Sequence, residues 1–243
     1  MTELLFFISA FISEIIGTVA GFGSSTIFLP LALFFFDFKT ALILVAFFHI
    51  FGNLGRITFF KRGLNKKLIL LFGIPSVILT VIGALLVNYL SQDILKFVLG
   101  VFLLLFSVTS IIRPGFQFKP SKKNTLIGGS ISGFFAGLIG TGGALRGAFL
   151  TSFHLDKYVY IATAATIALA VDITRIPIYF FNGFLTSAFY YYIPLLFVLA
   201  LTGSYVGKKI VDKLPQNIFR KFVLVVIGVI SVKFIYDGVI FFL

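Results

Sequence analysis

The sequence predicts an all-α polytopic membrane protein, and three observations carry that prediction. Mean hydropathy is +1.12 and hydrophobic residues fill 59% of the 243 positions, well above the roughly 45–50% of soluble domains. About eight apolar segments recur, at 4–36, 41–60, 68–90, 94–112, 126–153, 159–181, 188–206 and 218–243, and a helix needs about 20 such residues to cross a bilayer. The segments are continuous, whereas barrel strands alternate in pieces of about 10 residues. Only helices and closed barrels satisfy the backbone in lipid, so helices follow.

The formal net charge of +12 would suit nucleic acid, but the basic residues fall mainly in short connections between apolar runs. That placement is the pattern of cytoplasmic loops, and a nucleic-acid partner is excluded. There is no cysteine, which removes disulfides, thiolate nucleophiles and thiolate metal sites. Two isolated histidines supply neither a nucleophile with its base nor a metal cluster. No enzyme activity, cofactor or metal is expected. The start, Met1-Thr2-Glu3-Leu4, has no basic region ahead of the apolar run, and no cleaved signal peptide is expected.

The first segment belongs to an internal repeat. A shift of 119 positions lays Gly21 on Gly140, Gly23 on Gly142, Asp37 on Asp156, Asn53 on Asp172, Arg56 on Arg175 and Ile74-Pro75 on Ile193-Pro194. One residue of slip then pairs Gly83 with Gly203, and Ser91-Gln92-Asp93-Ile94 answers Pro215-Gln216-Asn217-Ile218. The chain reads as repeat 1 at 1–112, a polar cytoplasmic linker at 113–124 and repeat 2 at 125–243.

Each repeat opens with an element of awkward length. A helix over 4–36 would be roughly 50 Å long at 1.5 Å per residue, against a hydrocarbon core of about 30 Å. The cluster Gly21-Phe22-Gly23-Ser24-Ser25 divides it, and Gly140 to Gly143 divides 126–153 in the same place. Pieces of roughly 12 to 16 residues suit a re-entrant hairpin, followed in each repeat by three full transmembrane helices. Charge tests this arrangement. Eight ordinary spans would split the Lys and Arg of the long loops evenly between the two sides, whereas hairpins bring the basic loops 61–67, 113–123 and 208–221 to one side. Lys39, Lys96 and Lys157 are then expected on the other side. The positive-inside rule favours hairpins. Three spans per repeat is an odd number, so the second repeat is inverted, the plan of many secondary transporters.

Interrupted helices at membrane depth point to a binding site. Non-helical backbone is tolerated there only where it lines a cavity or is buried in protein. At each tip the second half-helix begins with unpaired N–H groups and the positive end of its dipole, a site for anions. Gly21, Gly23, Gly140, Gly142 and Gly143 let a small ligand approach the backbone. Ser24, Ser25, Thr26 and Thr141 add hydroxyl donors, and Arg146 adds a charge one turn into the second half-helix. Simple close packing of small residues is the competing reading of these glycines.

Ionisable residues inside apolar runs cost about 2.5 to 3.5 kcal/mol at the bilayer centre. Arg56 and Arg175 each have a polar partner three residues earlier, Asn53 and Asp172, on the same helical face. They either flank the anion path, or reach a helix end, or, for Arg175, are neutralised by Asp172. Glu14 and His49 are candidates for proton coupling or charge balance, with Asn53 and Asp172; a lone His is as readily a packing residue. Asp37 and Asp156 read as helix N-caps, Pro75, Pro177 and Pro194 as kinks or helix starts. Tyr190, Tyr191 and Tyr192 read as an interfacial belt, and Lys233 with Asp237 as a local pair.

Three motifs carry a resemblance. Gly17-x3-Gly21-x-Gly23-Ser24-Ser25-x4-Pro30, its counterpart Gly133-x3-Gly137-x2-Gly140-x-Gly142-Gly143, and the tail Gly203-x3-Gly207-x6-Leu214-Pro215-x3-Phe219-Arg220 resemble the TauE/SafE family of sulfite exporters, over nearly the whole chain. The resemblance implies a multi-pass carrier in a bacterial or archaeal cytoplasmic membrane for sulfite, sulfonates or related organic anions. Ser24-Ser25, Phe149 in place of a proline, and Arg146 depart from the usual pattern, and are compatible with an anion of different size or charge. The expected partners are a small anionic substrate, the lipid bilayer and a second copy of the chain. An anion channel and a non-transporting membrane subunit are the alternative readings.

Overall fold

The structure, a computed structural model, describes residues 2–21, 23–113, 118–213 and 217–242. Phe22, residues 114–117 of the linker and 214–216 of the tail motif and repeat match lie outside the described residues, as do the side chains of 217–223. Among the described residues ten α-helices follow in order: α1 Thr2–Ala20, α2 Ser25–Ala32, α3 Phe38–Phe59, α4 Lys66–Leu86, α5 Gln92–Ile112, α6 Lys122–Ile139, α7 Gly143–Leu150, α8 Lys157–Phe181, α9 Tyr192–Val211 and α10 Asn217–Phe242. Among the described residues, α1, α3, α4, α5, α8 and α9 are long and apolar enough to cross a membrane. The runs 4–36 and 126–153 are each split in two, and the first piece of 4–36, α1, is one of these six helices.

Both splits fall at glycines in left-handed backbone, Gly21 (φ +80°), Gly23 (φ +87°) and Gly140 (φ +72°), where a Cβ is strained. Gly21 N–H and Gly23 N–H both return to Gly17 O, at 3.2 and 3.3 Å, closing the end of α1. The arms are unequal, 19 and 8 residues in one hairpin and 18 and 8 in the other, rather than two of 12 to 16. Irregular turns after α2 and a 3-10 turn at Thr151–Phe153 complete each returning arm. The return is visible in the aromatic contacts. Phe6 meets Phe28 at 5.2 Å and Phe36 at 4.9 Å between ring centroids, so residue 36 comes back level with residue 6. Phe149 stacks on Phe118 at 3.9 Å and fills the space beside Gly128.

The helices pack as α1 on α9, α4 on α6, α3 on α8 and α9, α4 on α8, and α5 on α10. Helices α3 and α8 run antiparallel, since Phe60 meets Tyr158 at one end while Lys39 lies over Phe184 at the other. Helices α5 and α10 are also antiparallel: Phe97 meets Gly238, Gly100 meets Ile235 and Ser107 meets Gly228. The most enclosed candidate spans are α3 and α8, 61% and 56% buried. Helix α4 shows how lipid and protein divide one surface. Leu70, Ile74, Ile78 and Ile82, four apart, are exposed and face the apolar solvent that a bilayer supplies. The opposite face meets Gly129, Gly133 and Gly137 of α6, where a Cβ would strike the carbonyls of Phe72, Ser76 and Thr80. Ser76 Oγ donates to Gly129 O at 2.9 Å and Thr80 Oγ1 to Gly133 O at 3.0 Å. For these three glycines close packing is the role the structure gives.

The basic connections gather at one end. Arg62 covers the Tyr158 ring, Lys157 Nζ reaches Val211 O, and Tyr158 OH donates to Asp212 at 2.6 Å. The Tyr158 hydroxyl and the Lys208 ammonium hold the Asp212 carboxyl below its usual range. Lys157 therefore sits with Arg62 and Lys208 and not opposite them, because a hairpin that returns to its own side delivers the next residue there. At the other end Asp37 caps α3 through Lys39 N and Thr40 N, and Glu3 accepts from Tyr191 OH at 2.7 Å. Asp156 caps α8 through Tyr158 N, and Lys233 pairs with Asp237. Pro75 and Pro177 lie inside helices and Pro194 in the first turn of α9. Tyr192 departs from the expected belt: it is buried among Phe6, Phe7, Phe36 and Phe189.

Gly133→Val should lower the melting temperature of the purified protein by the equivalent of about 1–3 kcal/mol, the usual cost of overpacking. Ile78→Val, facing lipid, should leave it unchanged in the same thermal scan.

Candidate functional site

The two hairpins meet at their tips. Thr26 Oγ1, in the first turn of α2, lies 2.8 Å from Thr141 Oγ1 at the break between α6 and α7. Neither α2 nor α7 is capped by the side chain at its N-cap, Ser24 or Gly142. Their first turns keep the positive end of the dipole open. Ser132 Oγ ties down Gly142 O at 2.8 Å, and Tyr160 OH ties down Gly21 O at 3.0 Å.

Beside the tips lies a buried ionic cluster contributed by α1, α3, α7 and α8. Asp172 is its hub. One carboxylate oxygen accepts from Arg175 Nε at 2.9 Å and Nη2 at 2.8 Å; the other takes Asn53 Nδ2 at 2.9 Å and His49 Nδ1 at 2.9 Å. The Asn53–Asp172 bond joins two residues 119 positions apart, the shift that superposes them in the sequence. Arg175 is further held by Ala136 O at 2.8 Å. Both arginines are buried, so neither reaches out past a helix end, and Asp172 neutralises Arg175.

Arg56 finds a different counter-charge. Its Nη2 stands 3.3 Å from Glu14 Oε1, close enough for an ion pair, though no hydrogen bond satisfies Nη2. Glu14 accepts from Ser204 Oγ at 2.6 Å and Thr18 Oγ1 at 3.3 Å, leaving Oε2 unpartnered. Gly52 and Gly203 make room for this carboxylate. A lone acid in α1 and a serine in α9 give no sequence signal that they meet; the tight fit beside Gly203, which the repeat matched to Gly83, is the one trace.

Arg146 stands apart. It is 5% exposed, and among the described residues no hydrogen bond or ion pair engages its guanidinium. Gly23 is the point where the charges converge. A Cβ built there would lie 3.0 Å from His49 Nε2, 3.6 Å from Arg56 Nη1 and 3.8 Å from Arg146 Nη2. His49 Nε2 and Ser24 Oγ are buried without a partner. Two cavities of about 10 Å³ adjoin Arg146, each room for about one water. One is lined by Gly21, Gly23, Asn53 and Arg56, the other by Ser25, His49, Gly140, Gly142, Gly143, Asp172 and Arg175. A wider cavity of about 280 Å³, bordered by His154, Lys157 and Tyr160, approaches from the basic end and shares Gly21 and Ile161 with the first. Of the sequence candidates, Thr26 and Thr141 contact each other and border neither small cavity, and Glu14 lies behind Arg56. Tyr160 was not among them, since an aromatic near a helix start carries no mark of function.

Among the described residues, an apolar chain of ten helices, six of them long enough to cross a membrane, holds a buried charged cluster beside two broken helices. Its sequence matches the model of the family described as sulfite exporter TauE/SafE over residues 5–234, and the chain belongs to that family. No curated protein and no solved structure matches it.

Asp172→Asn should destabilise the protein by about 3–5 kcal/mol, because removing one partner strands the buried Arg175 charge. Adding Arg175→Leu should recover part of the loss in thermal melts; no recovery would show that Asp172 acts through other contacts.

Proposed function

We propose that the protein is a secondary transporter, working as an exporter, of small sulfur-containing or organic anions such as sulfite or sulfonates. The anion binds between the hairpin tips, among the open first turns of α2 and α7, with Arg146 and Arg56 supplying charge. The observation that carries this reading is the buried Arg146 guanidinium, which no hydrogen bond or ion pair engages among the described residues, beside Gly23 and the unpartnered His49 Nε2. A bare buried charge is costly, and an anion relieves it. Arg175 and Asn53 act as positioning residues, since both are engaged by Asp172.

The proposed architecture is a pair of inverted repeats, 1–112 and 125–243, around the linker 113–124. Support comes from the antiparallel pairing of α3 with α8 and α5 with α10, and from the paired contacts α1 on α9 and α4 on α6. The basic end faces the cytoplasm, in a bacterial or archaeal cytoplasmic membrane. A carrier is favoured over a channel because the cavities at the tips are water-sized, while the wider cavity stops at Gly21. Nothing in the single chain supports the expected second copy.

Reconstituted vesicles should show saturable sulfite uptake with counterflow; ohmic current would indicate a channel, and no flux of any anion a subunit. Arg146→Ala should weaken anion binding about 10- to 100-fold, the value of a hydrogen bond to a charged group, with normal expression. Unchanged affinity removes Arg146 from the site. Because the chain has no cysteine, Lys67→Cys and Lys208→Cys can be labelled singly, and both should react from the cytoplasmic face. Labelling from opposite faces would overturn the inverted arrangement.

A further inference from the structure

The charges around the tips do not balance, and the imbalance selects a substrate. Arginine remains cationic in proteins, so Arg56, Arg146 and Arg175 contribute three positive charges. Asp172, with donors on both oxygens, and Glu14, beside Arg56, contribute two negative ones. One positive charge is left over, and it belongs to Arg146. A monovalent anion neutralises it. A dianion overshoots, leaving a negative charge that no further cation of the cluster meets.

His49 supplies the missing element. The groups facing it are Asn53 and Arg56 from its own helix, Asp172 and Arg175 from α8, and Arg146 from α7 across Gly23, with Tyr160 and Glu14 behind these. A carboxylate has no hydrogen to give, so the 2.9 Å contact with Asp172 fixes the proton on Nδ1. Nε2, buried and unpartnered, then presents a lone pair toward Gly23. An anion oxygen can sit against that lone pair only if one of the two atoms carries a hydrogen.

Resting on the anion site proposed above, we infer that the site takes its substrate at a net charge of minus one, so that a divalent oxyanion enters only together with one proton. The proton sits between the substrate oxygen and His49 Nε2, on either atom. The substrate class is a small oxyanion that is dianionic in free solution and can be matched to one proton. For sulfite the bound composition is that of bisulfite. A permanently monovalent sulfonate needs no proton.

Titration calorimetry on the full-length purified protein tests this, using alkaline buffers of different ionisation enthalpy, in which free sulfite is dianionic. Sulfite should bind with close to one proton taken up per anion, and its Kd should rise about tenfold per pH unit, as linkage of one proton requires. Methanesulfonate should bind with no proton uptake. His49→Asn, which keeps a donor for Asp172, should weaken sulfite at least tenfold and methanesulfonate by a smaller factor. Sulfite bound without a proton, or equal weakening of both anions, overturns the inference while leaving the anion site standing. Failure of both anions to bind the wild-type protein overturns the site itself. Should His49→Asn not fold, the proton count of the wild type decides.

Discussion

One buried carboxylate organises the centre of this protein. Asp172 takes donors from His49 and Asn53 of α3 and from Arg175 on its own helix, so the two most enclosed long helices are joined through a single charge. In water such a junction would contribute little. Deep in a helical bundle its members have no solvent to fall back on, and each must be satisfied by another. That constraint fixes the His49 tautomer, immobilises Arg175 against Ala136 O, and leaves Arg146 as the one guanidinium of the three that no hydrogen bond or ion pair engages among the described residues.

The rest of the fold serves to bring backbone close to this junction. Two hairpins reach it from opposite ends, each turned by glycines whose dihedral angles exclude most side chains. Thr26 and Thr141 then touch, and the open first turns of two short helices face a shared space. Apolar stripes such as Ile74, Ile78 and Ile82 look outward into lipid, so packing against other helices is left to small residues and hydroxyls. Without a hydrophobic drive between helices, those close contacts and hydrogen bonds hold the bundle.

Much of this was legible from residue types. Over-long apolar runs divided by glycine pairs announced the broken helices, and the break positions agree; the arm lengths did not follow, because helix length is set by where packing ends, not by halving a run. The sequence made Asn53 and Asp172 the neighbours of Arg56 and Arg175 on their own helices, yet only geometry could show that they bond to each other. Glu14 beside Arg56 and Tyr160 against Gly21 were invisible for the same reason: partners 42 and 139 positions apart leave no periodic trace. Lys157 was misplaced by counting loops without following the returning arm.

The glycines of α6 have a last consequence. Gly133 and Gly137, two positions of the motifs that resemble the family, abut the carbonyls of Ser76 and Thr80. Positions of that kind record how cylinders nest. Kinship read from them therefore speaks for the chassis, while the proposed freight rests on side chains such as Arg146 and His49, which those two glycines do not read.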